Sequence, residues 1–144
     1  MTQLIKHAFE VSEVIELMDK VRVSETYLPS DYLSLQLDTA RRTLRSSNMM
    51  EFSWNQWFLY SGKLVLNLIR KTRGLSIENF CDMLLLKHSK YGAEPLTNWG
   101  AVGVAIRIDS KFERYKNLHG KDDEDTLMDM LGYCVLGFIM TKKA

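Results

Sequence analysis

Two carboxylates in the last third of the chain, Asp109 and Asp129, sit where helical patterning calls for apolar side chains, and Glu113, at the edge of its stripe, and Asp125 follow from them. In GVAIRIDSKFERYKNL, a helical wheel sets Asp109 among Val102, Ala105, Ile106 and Phe112, inside the apolar stripe, with Glu113 one turn later. In DTLMDMLGYCVLGFIM, which is apolar nearly all round, Asp129 shares a face with Met128, Gly132 and Leu136, and Asp125 lies one turn before it. A charge buried without a partner costs several kcal/mol, so such groups are paired, neutralised or metal-bound. Two helices presenting carboxylates to a common interior are one way to hold a divalent cation, and Asp109, Glu113, Asp125 and Asp129 are the candidate ligands. The plainer reading of the same acids is a set of salt bridges within or between helices, from Arg107, Lys111 or Arg114. Asp125 is also explained by the helix dipole, because Asp122, Asp123 and Glu124 crowd the same N-terminal turn.

Basic residues bracket these acids. Lys87, Arg107, Lys111 and Arg114, with Lys90, are placed to grip phosphate oxygens if a cation sits between the last two helices. Tyr91 and Gly92 end a helix just after Lys87 and Lys90. Trp99, Tyr115 and Tyr133 could stack on a base, although aromatic residues at helical spacing more often fill a core. His7, His88 and His119 have no zinc spacing, and Gly100 and Gly103 lack the strand and the Lys-Ser/Thr of a phosphate loop. No serine or cysteine nucleophile motif is present.

The elements that would position these groups are helices. Only Pro29 and Pro95 interrupt the chain, and apolar spacings of three and four dominate. The pattern predicts an all-α, single-domain bundle of about five to six helices. A first helix is expected from about Glu10 to Val21. A second follows Pro29 with Ser30 as N-cap and ends at Ser46–Asn48. A third is capped by Ser53 and closed by Gly74, with Arg70, Lys71 and Arg73 in its last turn. Ser76 opens a fourth, which stops near Gly92, and residues 93–98 form a loop. Thr97 or Asn98 opens a fifth ending near Leu118, and a sixth fills the remainder. The run LVLNLI (64–69) suits strand or helix by itself; its continuity with Trp57, Phe58 and Lys63 favours helix. Trp54, Trp57, Phe58 and Tyr60 are core by default and a homodimer interface otherwise.

At 144 residues, 46% hydrophobic and 26% charged, the composition is that of an ordinary soluble globular chain. The net charge of +1 supplies no bulk field toward nucleic acid or membrane. The longest apolar run, Met130 to Met140, is about half a bilayer crossing, and the amino terminus lacks a signal-type apolar core. Cys81 and Cys134, both in apolar patterns, read as buried free thiols in a cytoplasmic setting.

Three segments in order, KHSKYG, GVAIRIDSKFERYKNL and DEDTLMDMLGY, resemble the nucleotide-modification-associated domain 1 family, over roughly residues 81 to 140. Arg107, Lys111 and Arg114 match its Arg-x-x-x-Lys-x-x-Arg helix. Asp125, Thr126, Leu127, Asp129 and Tyr133 match its Asp-Thr-Leu-x-Asp-Leu-x-x-Tyr element. Tyr91 and Gly92 match its Asp-Tyr-Gly turn, but Lys90 stands in place of the acid. The resemblance implies a small all-helical protein of the kind common in phage and bacterial genomes, engaged in nucleotide metabolism or DNA modification. The paired-acid helices are also similar in architecture to the all-α NTP pyrophosphatases (MazG-like), which hold magnesium against a nucleotide, although no Glu-Glu-x-x-Glu motif is present. These likenesses imply a Mg²⁺-dependent nucleotide-binding or nucleotide-processing protein. The departure at Lys90 and the unmatched, aromatic-rich first half point instead to a non-catalytic protein that binds a host protein.

Overall fold

The computed structural model describes residues 2–24, 26, 28–46, 52–72, 74, 76–91, 99–118 and 126–142, without the side chains of residues 2–9 and 85–91. The described residues form six helices and no strand: α1 (Thr2–Asp19), α2 (Pro29–Arg45), α3 (Trp54–Thr72), α4 (Ile77–Tyr91), α5 (Gly100–Asn117) and α6 (Thr126–Thr141). The all-α bundle expected from apolar spacing is what the chain adopts. None of the described helices is long and apolar enough to cross a membrane.

Helix boundaries follow local chemistry. Ser53 accepts a hydrogen bond from the Gln56 amide (3.2 Å) and Ser76 one from the Asn79 amide (3.3 Å), so both serines cap as expected. Gly74, at φ 75°, lets the chain leave α3 in the left-handed region while its N–H returns to the Ile69 carbonyl. Three boundaries differ from expectation. The first helix begins at Thr2, well before Glu10, and stops at Asp19. Leu4, Ala8, Val11, Ile15 and Met18 continue one helical repeat, which was readable back to the start. At α2 the cap position is Leu28 and Pro29 is the first helical residue, so Ser30 caps nothing. Proline suits that position because its fixed φ is helical and its missing N–H would have no partner there. Trp99 occupies the cap position of α5, where Gly100 at φ 67° turns the chain into the helix; Thr97 and Asn98 lie outside the described residues.

The core is built on α3 and α6, the most extensively packed pair, with α5 laid against α6. Trp57, Phe58, Leu64, Val65, Leu66, Leu68 and Ile69 of α3 are buried, as are Leu127, Met128, Met130, Leu131, Cys134, Val135 and Phe138 of α6. The run 64–69 is therefore helical and interior except at the half-buried Asn67. Asn55, at the start of α3, donates to the Phe138 carbonyl (3.0 Å) and to Thr141 Oγ1 (3.3 Å) at the end of α6. The two helices are thus antiparallel, and the carbonyls of the last turn of α6, which has no basic residue, find donors. The aromatic-rich start of α3 is used inside the chain: Trp57 and Phe58 meet edge to face at 5.2 Å, and Trp54 packs on both.

Helix α2 joins α3 by hydrogen bonds as well as packing. Trp57 Nε1 donates to the Gln36 carbonyl (2.8 Å), and Gln36 Nε2 donates to Ser61 Oγ (3.1 Å), which satisfies a fully buried hydroxyl. Cys81 and Cys134 are buried free thiols, and burial pushes the Cys134 thiol above its ordinary range.

A close approach lies between α3 and α6, where a Cβ added at Gly137 would run into the buried Phe58 ring. A Cβ at Gly62 would meet the terminal atoms of Met18, which can turn aside. Gly137→Ala is therefore expected to destabilise the protein by about 1–3 kcal/mol, and Gly62→Ala by less; urea unfolding of the two variants checks the order.

Candidate functional site

The buried stripe of α5 is Val104, Ala105, Ile108, Phe112 and Tyr115, and this corrects the placement expected for Asp109. Ile106, expected beside Asp109 in the apolar stripe, is 58% exposed, and Asp109 lies half-buried at the rim. Its carboxylate receives Arg41 Nη2 of α2 at 2.6 Å, and the same guanidinium reaches Asp38 at 2.9 Å. Glu113 is exposed and pairs with Lys116 at 3.1 Å. On α6, Asp129 retains only 17% of its side-chain exposure and meets Lys111 Nζ of α5 at 3.1 Å.

Asp109 and Lys111 point about 160° apart around α5 at 3.6 residues per turn. Asp109 faces α2, whereas Lys111 faces α6 and Asp129. Helix α5 therefore stands between Asp109 and Asp129, and the acids do not converge on one interior point. Asp125 lies outside the described residues. The interhelical salt bridge, weighed against a cation site for these acids, is the arrangement present at both Asp109 and Asp129.

The basic residues do gather. Arg107, Lys111 and Arg114 fall within about 60° of one another on the flank of α5 that faces α6. Helix α6 is buried except at its last turn (Ile139 and Thr141) and along the half-buried stripe Asp129, Tyr133, Leu136 and Met140. A short connection joins α5 to α6, so the two run antiparallel. With Lys111 opposite Asp129, one turn towards the start of α5 sets Arg107 level with Tyr133, and one turn the other way brings Arg114 beside Thr126. Three basic residues thus border a seam that contains one sheltered carboxylate and one half-buried tyrosine. Tyr115, by contrast, is core, stacked on Phe112 with ring centroids 6.4 Å apart. Trp99 is 81% exposed at the start of α5. Lys87 and Tyr91 belong to α4, but their side chains lie outside those described.

Among the described residues, no three acidic, histidine or cysteine side chains come together in a way that could hold a metal ion. Asp129 is the one described carboxylate on the seam. A single carboxylate suits magnesium where a ligand's phosphates complete its coordination, and not as a self-sufficient protein cage. No family model, no curated protein and no solved structure matches this chain.

One charged cluster had no clear signal in the sequence. At the end of α1, Asp19 Oδ2 accepts a hydrogen bond from Arg70 Nη2 (2.9 Å), and Oδ1 lies 2.6 Å from Arg70 Nη1, too misaligned for a second bond. Lys63 Nζ donates to the Asp19 carbonyl at 2.8 Å, closing the C-terminus of α1. By spacing alone Arg70 is one of the cations in the last turn of its own helix; only the crossing of α1 and α3 brings Asp19 to it. The Arg70 hydrogen bond, reinforced by its charge and that of Lys63, outweighs desolvation and holds the Asp19 carboxyl below its usual value. The pair's contribution is therefore fully present above the unfolded carboxyl value, about 3.9, and is lost as pH falls through the lower folded value. The stability advantage of the wild type over Arg70→Met should be constant from neutral pH to about pH 5 and shrink below about pH 4, as urea unfolding across that range would show.

Proposed function

We propose that the seam between α5 and α6 binds the phosphates of a nucleotide, and that the protein is a nucleotide-binding or nucleotide-processing protein of the phage type. The observation that carries this reading is the gathering of Arg107, Lys111 and Arg114 on the one flank of α5 that faces Asp129 and Tyr133. Guanidinium groups bind phosphate oxygens through paired donors, and an ammonium adds a compact charge. Tyr133, level with Arg107, is placed to border the base or sugar. A divalent cation such as Mg²⁺ would be held by Asp129, with Asp125, four residues before it in sequence, and by the phosphates themselves. It would supply charge neutralisation at the phosphoryl oxygens. The chain's own residues orient the phosphates and shelter the seam on the α6 side. The resemblance in residues 107–114 and 125–133 supports the same assignment.

A second reading is favoured by a different observation. Trp99 and Ile106 lie one heptad apart on the side of α5 opposite the core, both widely exposed. Tryptophan and arginine are frequent anchors of protein interfaces, and Arg107 adjoins this face. A non-catalytic protein that docks a host protein there, or a second copy of itself, would use α5 as an interaction helix.

For the first reading, a thermal-shift panel of Mg²⁺ or Mn²⁺ with common ribo- and deoxyribonucleotides should reveal one metal-dependent ligand. At a hundred times its dissociation constant the ligand adds about 2.7 kcal/mol, roughly 5–10 °C for a domain of this size. Asp129→Asn should abolish that rise, and an unchanged response would sink the proposal. For the second, Trp99→Ser with Ile106→Ser should release a specific host protein captured by the wild type, while leaving any nucleotide response intact.

A further inference from the structure

Helix α2 turns Leu33, Leu37 and Ala40 into the core, and its opposite face is left bare. On that face Leu28, Leu35 and Arg42 follow at heptad spacing, within about 40° of one another at 3.6 residues per turn. Leu28 is 60% exposed and Leu35 54%. Asp31 lies beside the two leucines, and Asp31, Asp38, Arg42 and Arg45 are all exposed. The face is thus acidic and apolar in its first half and basic at its end. We infer that this face of α2 is the interface of a homodimer, in which two copies of the helix pair antiparallel about a two-fold axis at Leu35. The inference does not depend on the nucleotide-phosphate reading of the α5–α6 seam, and it concerns a different face from the one that carries Trp99 and Ile106.

Each half of the pattern has an ordinary explanation when taken alone. Asp31 in the first turn and Arg42 and Arg45 in the last complement the dipole of α2. A single exposed leucine needs no partner. The dipole, however, does not call for leucines, and solvation does not call for two of them in line with the charges. Charge that changes sign along a face makes that face complementary to its own antiparallel copy, which is the condition for a closed two-fold dimer. Parallel pairing would set Asp31 against Asp31 and Arg42 against Arg42, whereas antiparallel pairing brings unlike ends together. None of the ion pairs among the described residues engages Asp31, Arg42 or Arg45.

The register follows from the leucines. With Leu35 on the axis, the two Leu35 side chains meet, and each Leu28 faces Arg42 of the second copy. The methylenes of that arginine cover Leu28, and its guanidinium ends within reach of Asp31, one turn further on. Symmetry repeats the arrangement on the other side. Asp38, the second acid of the face, is held at 2.9 Å by Arg41 of its own chain and so brings no unpaired charge to the contact. Helices paired in this way cross at about 20°, so the contact runs from Leu28 to Arg42, roughly 21 Å at 1.5 Å per residue. A single helix pair of that length is a small interface, below about 1,200 Å² in total. The dimer is accordingly weak, with a dissociation constant of roughly micromolar order.

Sedimentation velocity of the full chain, from about 1 μM to about 1 mM, tests the dimer. The wild type should pass from monomer to dimer across that range, and a monomer throughout overturns the inference. Leu35→Lys should raise the dissociation constant about tenfold or more, with Leu35→Gln in its place if circular dichroism shows the lysine variant unfolded. A charge swap separates pairing across the axis from dipole effects within one helix. Asp31→Arg alone and Arg42→Glu alone should each weaken self-association about tenfold or more, because each sets like charges across the axis. An equimolar mixture of those two variants should dimerise as the wild type does, because every cross-axis pair is then of opposite sign. Dimers unaffected by the single changes, or a mixture that stays monomeric, overturn the antiparallel pairing. Trp99→Ser with Ile106→Ser should leave the dimer intact; if that variant falls apart, the copies meet through α5 and the inference fails.

Discussion

The close antiparallel contact of α3 with α6 is the constraint from which the rest of the arrangement follows. Gly137 lets the backbone of α6 come against the Phe58 ring, and Asn55 ties the start of α3 to the end of α6. Helix α6, apolar nearly all round, can then pack against the buried apolar face of α3. Helix α2 clasps α3 through Gln36, Trp57 and Ser61, α1 is tied to α3 at Asp19, and α5 covers α6. The positions of the described interhelical charges are a consequence of where these helices come to rest.

Among the described residues, charge lies at the rims of helices and not in their interior. Asp109 with Arg41, Asp129 with Lys111, and Asp19 with Arg70 each join two different helices. Partly exposed pairs of this kind contribute little net stability, about 0–1 kcal/mol each, so apolar packing accounts for the fold and the pairs select its register. At α5 that selection separates two kinds of flank. One holds Asp109 towards α2, and the other holds Arg107, Lys111 and Arg114 towards α6. A single helix thereby keeps its acids from its concentration of bases, leaving a basic edge beside the one sheltered carboxylate of α6.

Much of the fold was legible in the order of residues. The period of the apolar positions required helices, Ser53 and Ser76 marked two starts, and Gly74 marked an end, because these are local effects of one or two side chains on nearby amides. The start of α1 was missed although Leu4 and Ala8 extend its repeat, and the cap assigned to Ser30 gave way to the proline beside it. The candidate site was legible in part. The chemical types at 107, 111, 114 and 129 were readable as a group able to handle phosphate, and their spacing set which of them share a face.

What the linear sequence determined was therefore the set of helices, their amphipathic faces and the identity of the charged groups on each. Which charges meet was decided only in the tertiary structure. Asp109 and Asp129 look equivalent on helical wheels, each an acid near apolar neighbours. A wheel has no partner helix, so it cannot tell that α2 takes one flank of α5 and α6 the other. Arg41 lies 68 residues from Asp109, and Arg70 lies 51 from Asp19. Such pairs depend on how rigid helices cross, a property of packing over many side chains at once, and no local spacing encodes it.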